Sequence, residues 1–399
     1  MNIVLCSKLK QHKHCAISLQ GANILGKYIT GAFFTGRPWY YPLAGKNKAW
    51  IDNRLNYKFD YNKIKSFASQ YILYKFIVGN KIISHTINTY KIDSFFKNLF
   101  GLYCYFNILT MKNITHFHYE RSLGSNIAVK AKKRFNCKVI IDESLPNMKY
   151  LYNIMKEEYS KLDLNFDEES FLGKYNSKDF EAADYIIVPS NYCKHTFVSQ
   201  GVKEEKLKVI PYGCDLSKFY PIAFKRDATF RVLFVGKICP RKGVHYLIEA
   251  IKAMKQKNIE LLLVGMIEEG FEGVLKDLPA CIKHIKYYPH SKLNEIYSKA
   301  DVFVLPSLSD SFSVTTLEAM ASGIPVIVSE NVGAKEIVNN GDNGFVVPIR
   351  NCEAIIEKIT ALYNNRFYAR EMGKNARNSV MRFNWNEYGK KIISFYENI

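Results

Sequence analysis

The sequence predicts an α/β protein built from two doubly wound, Rossmann-like domains, and two observations carry this prediction. First, Val302 to Leu305 and Ile324 to Val328 are short apolar runs, with a helical pattern between them at Val314 to Ala321. This order of strand, loop, helix and strand is typical of a buried parallel sheet. Second, a length of 399 residues favours two or three domains with substantial cores.

Two carboxylates lie within this stretch, Asp310 in the loop and Glu318 in the predicted helix. If Ser313 caps the helix, the backbone N–H groups around Val314, Thr315 and Thr316 are free at a helix N-terminus, where partial positive charge favours a phosphate. A ligand with a diphosphate at its centre and hydroxyl groups at both ends suits this arrangement. Glu318 would then accept hydrogen bonds from one sugar ring and Asp310 from another.

The frame around these carboxylates resembles family 4 of the GT-B-fold retaining glycosyltransferases, whose signature is Glu, seven residues and Glu within PS…EGFG…LEAMA. The matching residues here are Pro306, Ser307, Asp310, Phe312, Glu318, Ala319, Met320 and Ala321. Asp310 replaces the first glutamate, and serines replace the two glycines. The resemblance implies that Asp310 contacts the transferred sugar and that Glu318 holds the nucleotide ribose. The resemblance also implies that the two Rossmann-like domains face a common cleft, as in the GT-B fold. It covers residues 180–399 in detail and residues 1–179 by architecture alone.

In the first domain, the resemblance implies a glycine turn under the donor phosphates, directly after the first strand at Asn2 to Cys6. Gly21 is the candidate for that turn, although it is followed by alanine instead of a second glycine. His118 lies near the end of an alternating strand, THFHYE, where relatives often have a histidine that faces the cleft, so we predict a contact with substrate. Asp142 and Glu143 end the next strand, and Asp142 would either contact the sugar or cap the following helix.

The segment LKVIPYG, which ends at Gly213, resembles the connection between the two domains of the family. Because proline, glycine and charged residues cluster between Pro211 and Pro221, we place the hinge there. The predicted domains are an acceptor-binding domain at 1–215 and a nucleotide-sugar-binding domain at 216–380. Residues 381–399 resemble the terminal helix that crosses back onto the first domain.

The second domain opens with a strand that ends at Gly236, followed by Lys237 and, later in the same loop, Lys242. Two cations beside a flexible glycine turn can neutralise a diphosphate leaving group without a metal. The match to the family pattern G-R/K-x4-K-G implies that Gly236 and both lysines bind the donor, that the lysines act in catalysis, and that Arg241 assists them.

Three further positions complete the predicted donor site. Gly265 ends the strand LLLVG, at the edge of a parallel sheet where ligands bind. Tyr288 and Leu293 occupy the region that contacts the base in relatives. Glu336 matches a glutamate of a later family motif, although a helix cap is the simpler interpretation.

The net charge of +19 is concentrated in the first 150 residues, which hold 23 Lys and Arg against 6 Asp and Glu. Such a basic, aromatic-rich half favours an anionic partner, such as phospholipid headgroups, a lipid-linked diphosphate, an acidic polysaccharide or nucleic acid. We predict a peripheral membrane contact through this half, with lysines and aromatic residues between Lys63 and Lys81 as one candidate surface. Biased base composition explains the charge equally well. A nucleic-acid role rests on charge alone, and we expect none.

Nine cysteines without a CxxC pair favour reduced thiols in a cytoplasmic protein. The apolar part of the N-terminus is too short for a signal peptide, and Leu99 to Met111 is too short to cross a bilayer. We therefore expect a cytoplasmic location, with any membrane contact at the inner face. No Asp-x-Asp motif occurs. We predict no metal and no cofactor, because the nucleotide-diphospho-sugar is a co-substrate.

The predicted function is transfer of a sugar from a nucleotide-diphospho-sugar to a glycan or lipid-linked acceptor, with retention at the anomeric carbon, in the synthesis of a surface polysaccharide or lipopolysaccharide. Two alternatives stay open. Asp310 and the missing glycine pair are compatible with a non-catalytic subunit that only binds nucleotide-sugar. GT-B folds also include sugar-nucleotide epimerases, although these would not need this combination of lysines and carboxylates.

Overall fold

The computed structural model describes the chain apart from residues 10, 32–59, 68–72, 74–76, 78–88, 122–124, 173–176 and 224–226. The described part contains two parallel sheets, and the first is formed by seven strands. These strands are β1 (Ile3–Ser7), β2 (Leu25–Thr30), β3 (Ile64–Ser66), β4 (His116–Glu120), β5 (Lys138–Asp142), β6 (Tyr185–Val188) and β7 (Leu207–Val209). Their order in space is β3-β2-β1-β4-β5-β6-β7.

The second sheet has six described strands in the order β10-β9-β8-β11-β12-β13. They are β8 (Phe230–Val235), β9 (Ile259–Val264), β10 (Ile282–Ile285), β11 (Val302–Leu305), β12 (Val326–Ser329) and β13 (Gly344–Val347). β11 and β12 are buried throughout, which explains why both appear in the sequence as continuous apolar runs and not as alternating ones.

The helices alternate with the strands along the chain. In the first half they are α1 (His12–Gly21), α2 (Thr89–Leu109), α3 (Ser125–Phe135), α4 (Met148–Lys161), α5 (Glu168–Leu172), α6 (Ser177–Ala182) and α7 (Asn191–Val198). In the second half they are α8 (Val244–Met254), α9 (Leu293–Lys299), α10 (Val314–Ala321), α11 (Cys352–Asn364), α12 (Arg366–Val380) and α13 (Trp385–Glu397). The prediction of two doubly wound α/β units is confirmed.

Both sheets reverse their winding direction beside their first strand. In the first sheet β1 lies between β2 and β4, and in the second sheet β8 lies between β9 and β11. Ligands of open α/β sheets bind outside the carboxyl ends of the strands at such a switch point. The loops after β1 and β4, and those after β8 and β11, are therefore where a site is expected.

The last helix, α13, packs against α1 of the first half. The Trp385 ring stacks on the His14 ring with centroids 3.9 Å apart. At the other end of α13, the Tyr396 hydroxyl lies 2.7 Å from Nδ1 of His118 in β4. These contacts attach the end of the chain to the first sheet.

The segments Ile72 to Val78 and Ile82 to Ile87 are rich in residues that favour strands, so the sequence predicts strands there. Apart from Leu73 and Ile77, both segments lie outside the described residues, and so does most of the candidate membrane surface between Lys63 and Lys81. Among the helices of the described part, none is long and apolar enough to span a membrane.

Candidate active site

A tight turn after β8 positions the predicted lysines. Residues Pro240–Lys242 form a single 3-10 turn that ends at Gly243, whose φ is 63°. A Cβ at Gly243 would lie 2.1 Å from the carbonyl oxygen of Pro306, so both the backbone conformation and the space require glycine. The turn therefore lies directly against the loop after β11, which carries Asp310.

Lys242 and Asp310 form an ion pair at this contact. Both side chains are largely buried, with 14% of Lys242 and 10% of Asp310 exposed. Burial raises the pKa of the Asp310 carboxyl, but the charges of Lys242 and Arg241 outweigh burial and hold the pKa below its usual range. Asp310 is thus an ionised carboxylate bound to a lysine, and an incoming anion would compete with it for that lysine.

Arg241 and Lys237 have different surroundings. The Arg241 guanidinium donates a hydrogen bond of 2.7 Å to the carbonyl oxygen of Ser309, so Arg241 supports the Asp310 loop. Lys237 forms an ion pair with Glu268, and about half of the Lys237 side chain is exposed. Because Glu268 also accepts a 2.8 Å hydrogen bond from the Tyr159 hydroxyl of α4, the pair lies where the two halves of the chain meet.

The N-terminus of α10 follows Asp310 closely. Ser313 is its N-cap, with a φ of 74°, and its hydroxyl accepts a hydrogen bond of 3.3 Å from the Thr316 N–H. The Thr316 N–H is therefore satisfied by the cap, contrary to the prediction that it is free. The N–H groups of Val314 and Thr315 have no hydrogen-bond partner in the described part of the chain. The observed helix begins and ends at the predicted residues, and its first turn points an uncompensated dipole towards the site.

Glu318 lies one turn further along α10 and is nearly inaccessible. Its Oε2 accepts a hydrogen bond of 3.1 Å from the Tyr297 hydroxyl, and Nε2 of His290 lies 2.9 Å from its Oε1. Leu293 begins α9 and is buried in the core. Tyr288 lies in the loop before it, with its hydroxyl 3.5 Å from Glu295. The predicted base-binding segment therefore adjoins the predicted ribose carboxylate.

The two halves of the chain meet at the Asp310 loop. The Ser190 hydroxyl donates to the carbonyl oxygen of Ser311 at 2.6 Å, and the Ser311 hydroxyl donates to the carbonyl oxygen of Ser144 at 2.5 Å. Glu336 accepts hydrogen bonds from the Tyr192 N–H at 2.9 Å and from the Asn191 side chain at 3.0 Å. Glu336 is a helix cap, as the simpler interpretation held, but it caps α7 of the other half.

Gly333→Ala is expected to strain this contact. A Cβ at Gly333 would lie 2.2 Å from the carbonyl oxygen of Ser311 and 2.4 Å from the Ser190 hydroxyl. Since one neighbour is backbone, the loops must move apart, and overpacking of this kind costs about 1–3 kcal/mol. Urea unfolding followed by fluorescence should show that loss. Gly273→Ala is the matched control, because nothing lies within 4 Å of its Cβ position. Equal stability of the two variants would contradict the prediction.

The first-half predictions need two corrections. Gly21 is the last residue of α1, at the opposite end of the helix from the turn after β1, so it does not lie in that turn. His118 has no exposed surface and contacts Tyr396 and Asp142 instead of the cleft. Its position indicates a structural role, and we do not propose that it touches substrate.

Asp142 is the centre of a buried cluster and neither faces the cleft nor caps a helix. Nε2 of His12 lies 3.1 Å and Nε2 of His118 lies 3.4 Å from its Oδ2. Burial raises the pKa of the Asp142 carboxyl, but the two imidazoles outweigh this effect and hold the pKa well below its usual range. Burial lowers the pKa of His12, but Asp142 and Glu120 outweigh it and raise that pKa. The cluster is a buried ion pair between β5 and α1.

Several residues in or near the site were not predicted from the sequence. Arg121 directly follows β4, and its Nε lies 3.0 Å from Glu143, which follows β5. Arg121 could have been identified from the sequence, because a charged residue immediately after each of two neighbouring central strands is a usable signal. His290, Tyr297 and Glu268 gave none, because they reach the site from separate loops and helices. In the described residues, no group of three or more His, Cys, Asp or Glu is placed to hold a metal ion.

The whole chain is similar in structure to sucrose-phosphate synthase from Thermosynechococcus elongatus. The TM-score is 0.67 with 20% sequence identity, over 100% of this chain and 98% of that chain. This similarity shows the fold, which is the GT-B fold: two doubly wound domains with their strand ends facing each other.

Sequence comparison matches part of the chain to a known family and to named glycosyltransferases. Residues 220–379 match the model of the family described as glycosyl transferases group 1. The capsular polysaccharide biosynthesis glycosyltransferase CapM of Staphylococcus aureus is 30% identical over 54% of this chain, and the match spans only 60% of CapM. N,N'-diacetylbacillosaminyl-diphospho-undecaprenol alpha-1,3-N-acetylgalactosaminyltransferase of Campylobacter jejuni is 24% identical over 73% of this chain and 87% of its own length. The match to glycosyl transferases group 1 thus covers much of the second half of the chain and none of the first half.

Proposed function

We propose that this protein is a glycosyltransferase of the retaining family 4, which moves a sugar from a nucleotide-diphospho-sugar to a glycan or lipid-linked acceptor without a metal ion. The observation that carries the proposal is the buried ion pair between Lys242 and Asp310 beside the N-terminus of α10. The match of residues 220–379 to glycosyl transferases group 1 and the glycosyltransferase names of the relatives support the same activity.

Donor binding would begin with an exchange of partners. A diphosphate carries more negative charge than a carboxylate and would take Lys242 from Asp310, helped by the N–H groups of Val314 and Thr315. Asp310 would then be free to accept hydrogen bonds from the donor sugar. Lys237 would leave Glu268 for the diphosphate in the same way, since the pair of Lys237 and Glu268 is more exposed.

Bond cleavage would place negative charge on the departing diphosphate. Lys242, Lys237 and the dipole of α10 are fixed groups of opposite charge aimed at that position, so their stabilisation is greatest in the transition state. Glu318 would hold the ribose, because its oxygens already accept from Tyr297 and lie beside His290. Cations supply the charge neutralisation that a divalent metal provides in other phosphate chemistry.

The acceptor side of the proposal rests on the relatives. CapM is named for capsular polysaccharide biosynthesis, and the Campylobacter jejuni relative is named for a sugar on diphospho-undecaprenol, which is a lipid-linked diphosphate. We propose an acceptor of this chemical class, used on the cytoplasmic side of a membrane in the synthesis of a surface glycan. The basic charge of residues 1–150 suits such an anionic acceptor.

Donor hydrolysis tests the proposal. The purified chain is incubated with UDP-, GDP-, ADP- and TDP-sugars in the presence of EDTA, and the products are followed by proton NMR. We expect one donor to release nucleoside diphosphate and a sugar of unchanged anomeric configuration. Tight nucleotide binding without turnover, even with a lipid-linked diphosphate acceptor, would instead favour a non-catalytic partner subunit. Release of an epimeric sugar without any acceptor would favour an epimerase.

A further inference from the structure

The helix α2 covers one face of the first sheet with an apolar stripe. Its residues Phe96, Phe100, Cys104 and Ile108 recur every four positions and are all buried in the core. This is the pattern of an amphipathic helix that packs on a sheet, and the four side chains fall within about 120° of the helix circumference. The opposite side of α2 faces away from the core.

The outer face of α2 is apolar as well. Phe95, Leu102, Phe106 and Leu109 have 60%, 48%, 64% and 37% of their surface exposed. With 3.6 residues per turn, these four side chains fall within about 60° of one another, so they form one continuous line. We call this line the outer stripe. A surface helix is expected to be polar on its outer face, and a contiguous exposed apolar line marks an interaction surface.

Positive charge flanks the outer stripe. The ammonium group of Lys130 in α3 lies 5.3 Å from the centre of the Tyr105 ring in α2, so the two helices are adjacent. Lys133 and Arg134 follow in the last turn of α3 and are exposed, and exposed Lys112 lies just beyond the end of α2. Lys132 of the same turn is paired with Asp184 and adds no free charge.

We propose that the outer stripe and these basic side chains together bind an anionic lipid surface. The phenylalanine and leucine side chains would enter the boundary between headgroups and acyl chains, while Lys112, Lys130, Lys133 and Arg134 would contact the lipid phosphates. The basic residues beside the outer stripe favour an anionic membrane over an apolar protein partner. α2 is about 30 Å long, which suits a flat surface better than a closed groove.

The proposal places the cleft close to the membrane. β4 follows α2, so the C-terminal end of α2 lies at the amino edge of the first sheet and its N-terminal end, with Phe95, lies towards the carboxyl edge. The carboxyl edge is where the candidate site is. Vesicle binding requires neither donor nor acceptor, so this inference stands or falls independently of the proposed function.

Vesicle co-sedimentation tests the inference. The purified chain is mixed with vesicles of phosphatidylcholine alone or phosphatidylcholine with phosphatidylglycerol, at low and high sodium chloride. We expect binding to the anionic vesicles that weakens with salt. Phe95→Ser/Phe106→Ser should lower the partition coefficient about tenfold or more, and Lys130→Ser/Lys133→Ser should lower it about tenfold for anionic vesicles alone.

Tyr287→Ser/Phe367→Ser is the matched control, because it removes two aromatic side chains that are 75% and 73% exposed in the second half of the chain. It should bind vesicles like the unmodified chain. All variants must keep the original melting temperature, so that lost binding is not lost folding. Equal loss in the control, or no binding of the unmodified chain to anionic vesicles, would overturn the inference. A dimer in sedimentation equilibrium would also overturn the inference if Phe95→Ser/Phe106→Ser dissociates it. A second copy of the chain would then cover the outer stripe.

Discussion

Lys242→Ala is expected to lower kcat for donor turnover by about 10²–10³, the largest effect of any single substitution proposed for this protein. Lys242 is largely buried and is positioned by the Gly243 turn, so once the donor has displaced Asp310 its charge needs no further reorganisation when the diphosphate departs. Removing one fixed group that stabilises developing charge costs about 2.7–4 kcal/mol. The measurement is steady-state kinetics with the donor that the hydrolysis panel identifies.

Two variants separate chemistry from folding in that experiment. Lys374→Ala removes an exposed lysine on α12 that pairs with Glu371 of the same helix, and its kcat should equal that of the unmodified chain. Lys242→Ala also leaves Asp310 buried without its cation, which destabilises the protein. Asp310→Asn added to Lys242→Ala should restore the melting temperature without restoring activity. A kcat within about threefold of the original in Lys242→Ala would exclude the proposed role.

The stretch around Asp310 could be predicted because its information is local. The helix from Val314 to Ala321 begins after a serine cap and ends at a glycine turn, and both signals lie in neighbouring residues. Lys237 and Lys242 follow a strand end, and the parallel topology alone brings strand ends to one edge. The sequence therefore predicts which residues share the edge, without any knowledge of distant contacts.

The two errors in the first half have physical causes. α1 begins at His12 without a side-chain cap, so no start signal marks the turn after β1, and Gly21 was assigned to the turn instead of to the helix end. His118 lies in a strand that was predicted correctly, but Tyr396, near the other end of the chain, covers it. Contacts over that separation leave no pattern in the sequence around His118.

The partners of the predicted residues were also invisible. Glu268 pairs with Lys237 from the loop after β9, and Tyr297 bonds Glu318 from α9. Periodicity identifies Tyr297 only as a buried helical residue, because a tyrosine that bonds a carboxylate and one that fills a core have the same spacing. The site's charges were predictable from motif positions, whereas its hydrogen-bond network required the structure.

Glu318→Ala is expected to weaken binding of the donor's nucleoside diphosphate about 100-fold, with a smaller loss of kcat at saturating donor. A hydrogen bond to a charged group contributes about 1.5–3 kcal/mol, and a ribose would use the Glu318 carboxylate. Because this interaction exists before and after bond cleavage, its loss should change mainly the Kd of the nucleotide and much less the kcat. Isothermal titration calorimetry with the nucleoside diphosphate of the identified donor measures it.

The control for that prediction comes from the hydrogen bond between Tyr297 and Glu318. Glu318→Ala leaves the buried Tyr297 hydroxyl without its acceptor, which alone costs stability of about 1–3 kcal/mol. Tyr297→Phe removes the donor but keeps the carboxylate, so it should bind nucleotide with nearly the original Kd. Glu318→Ala/Tyr297→Phe should regain stability, because no buried hydroxyl is left without an acceptor. It should still bind the nucleotide weakly, because the carboxylate that accepts from the ribose is absent. An unchanged Kd in that double variant would remove Glu318 from the donor site.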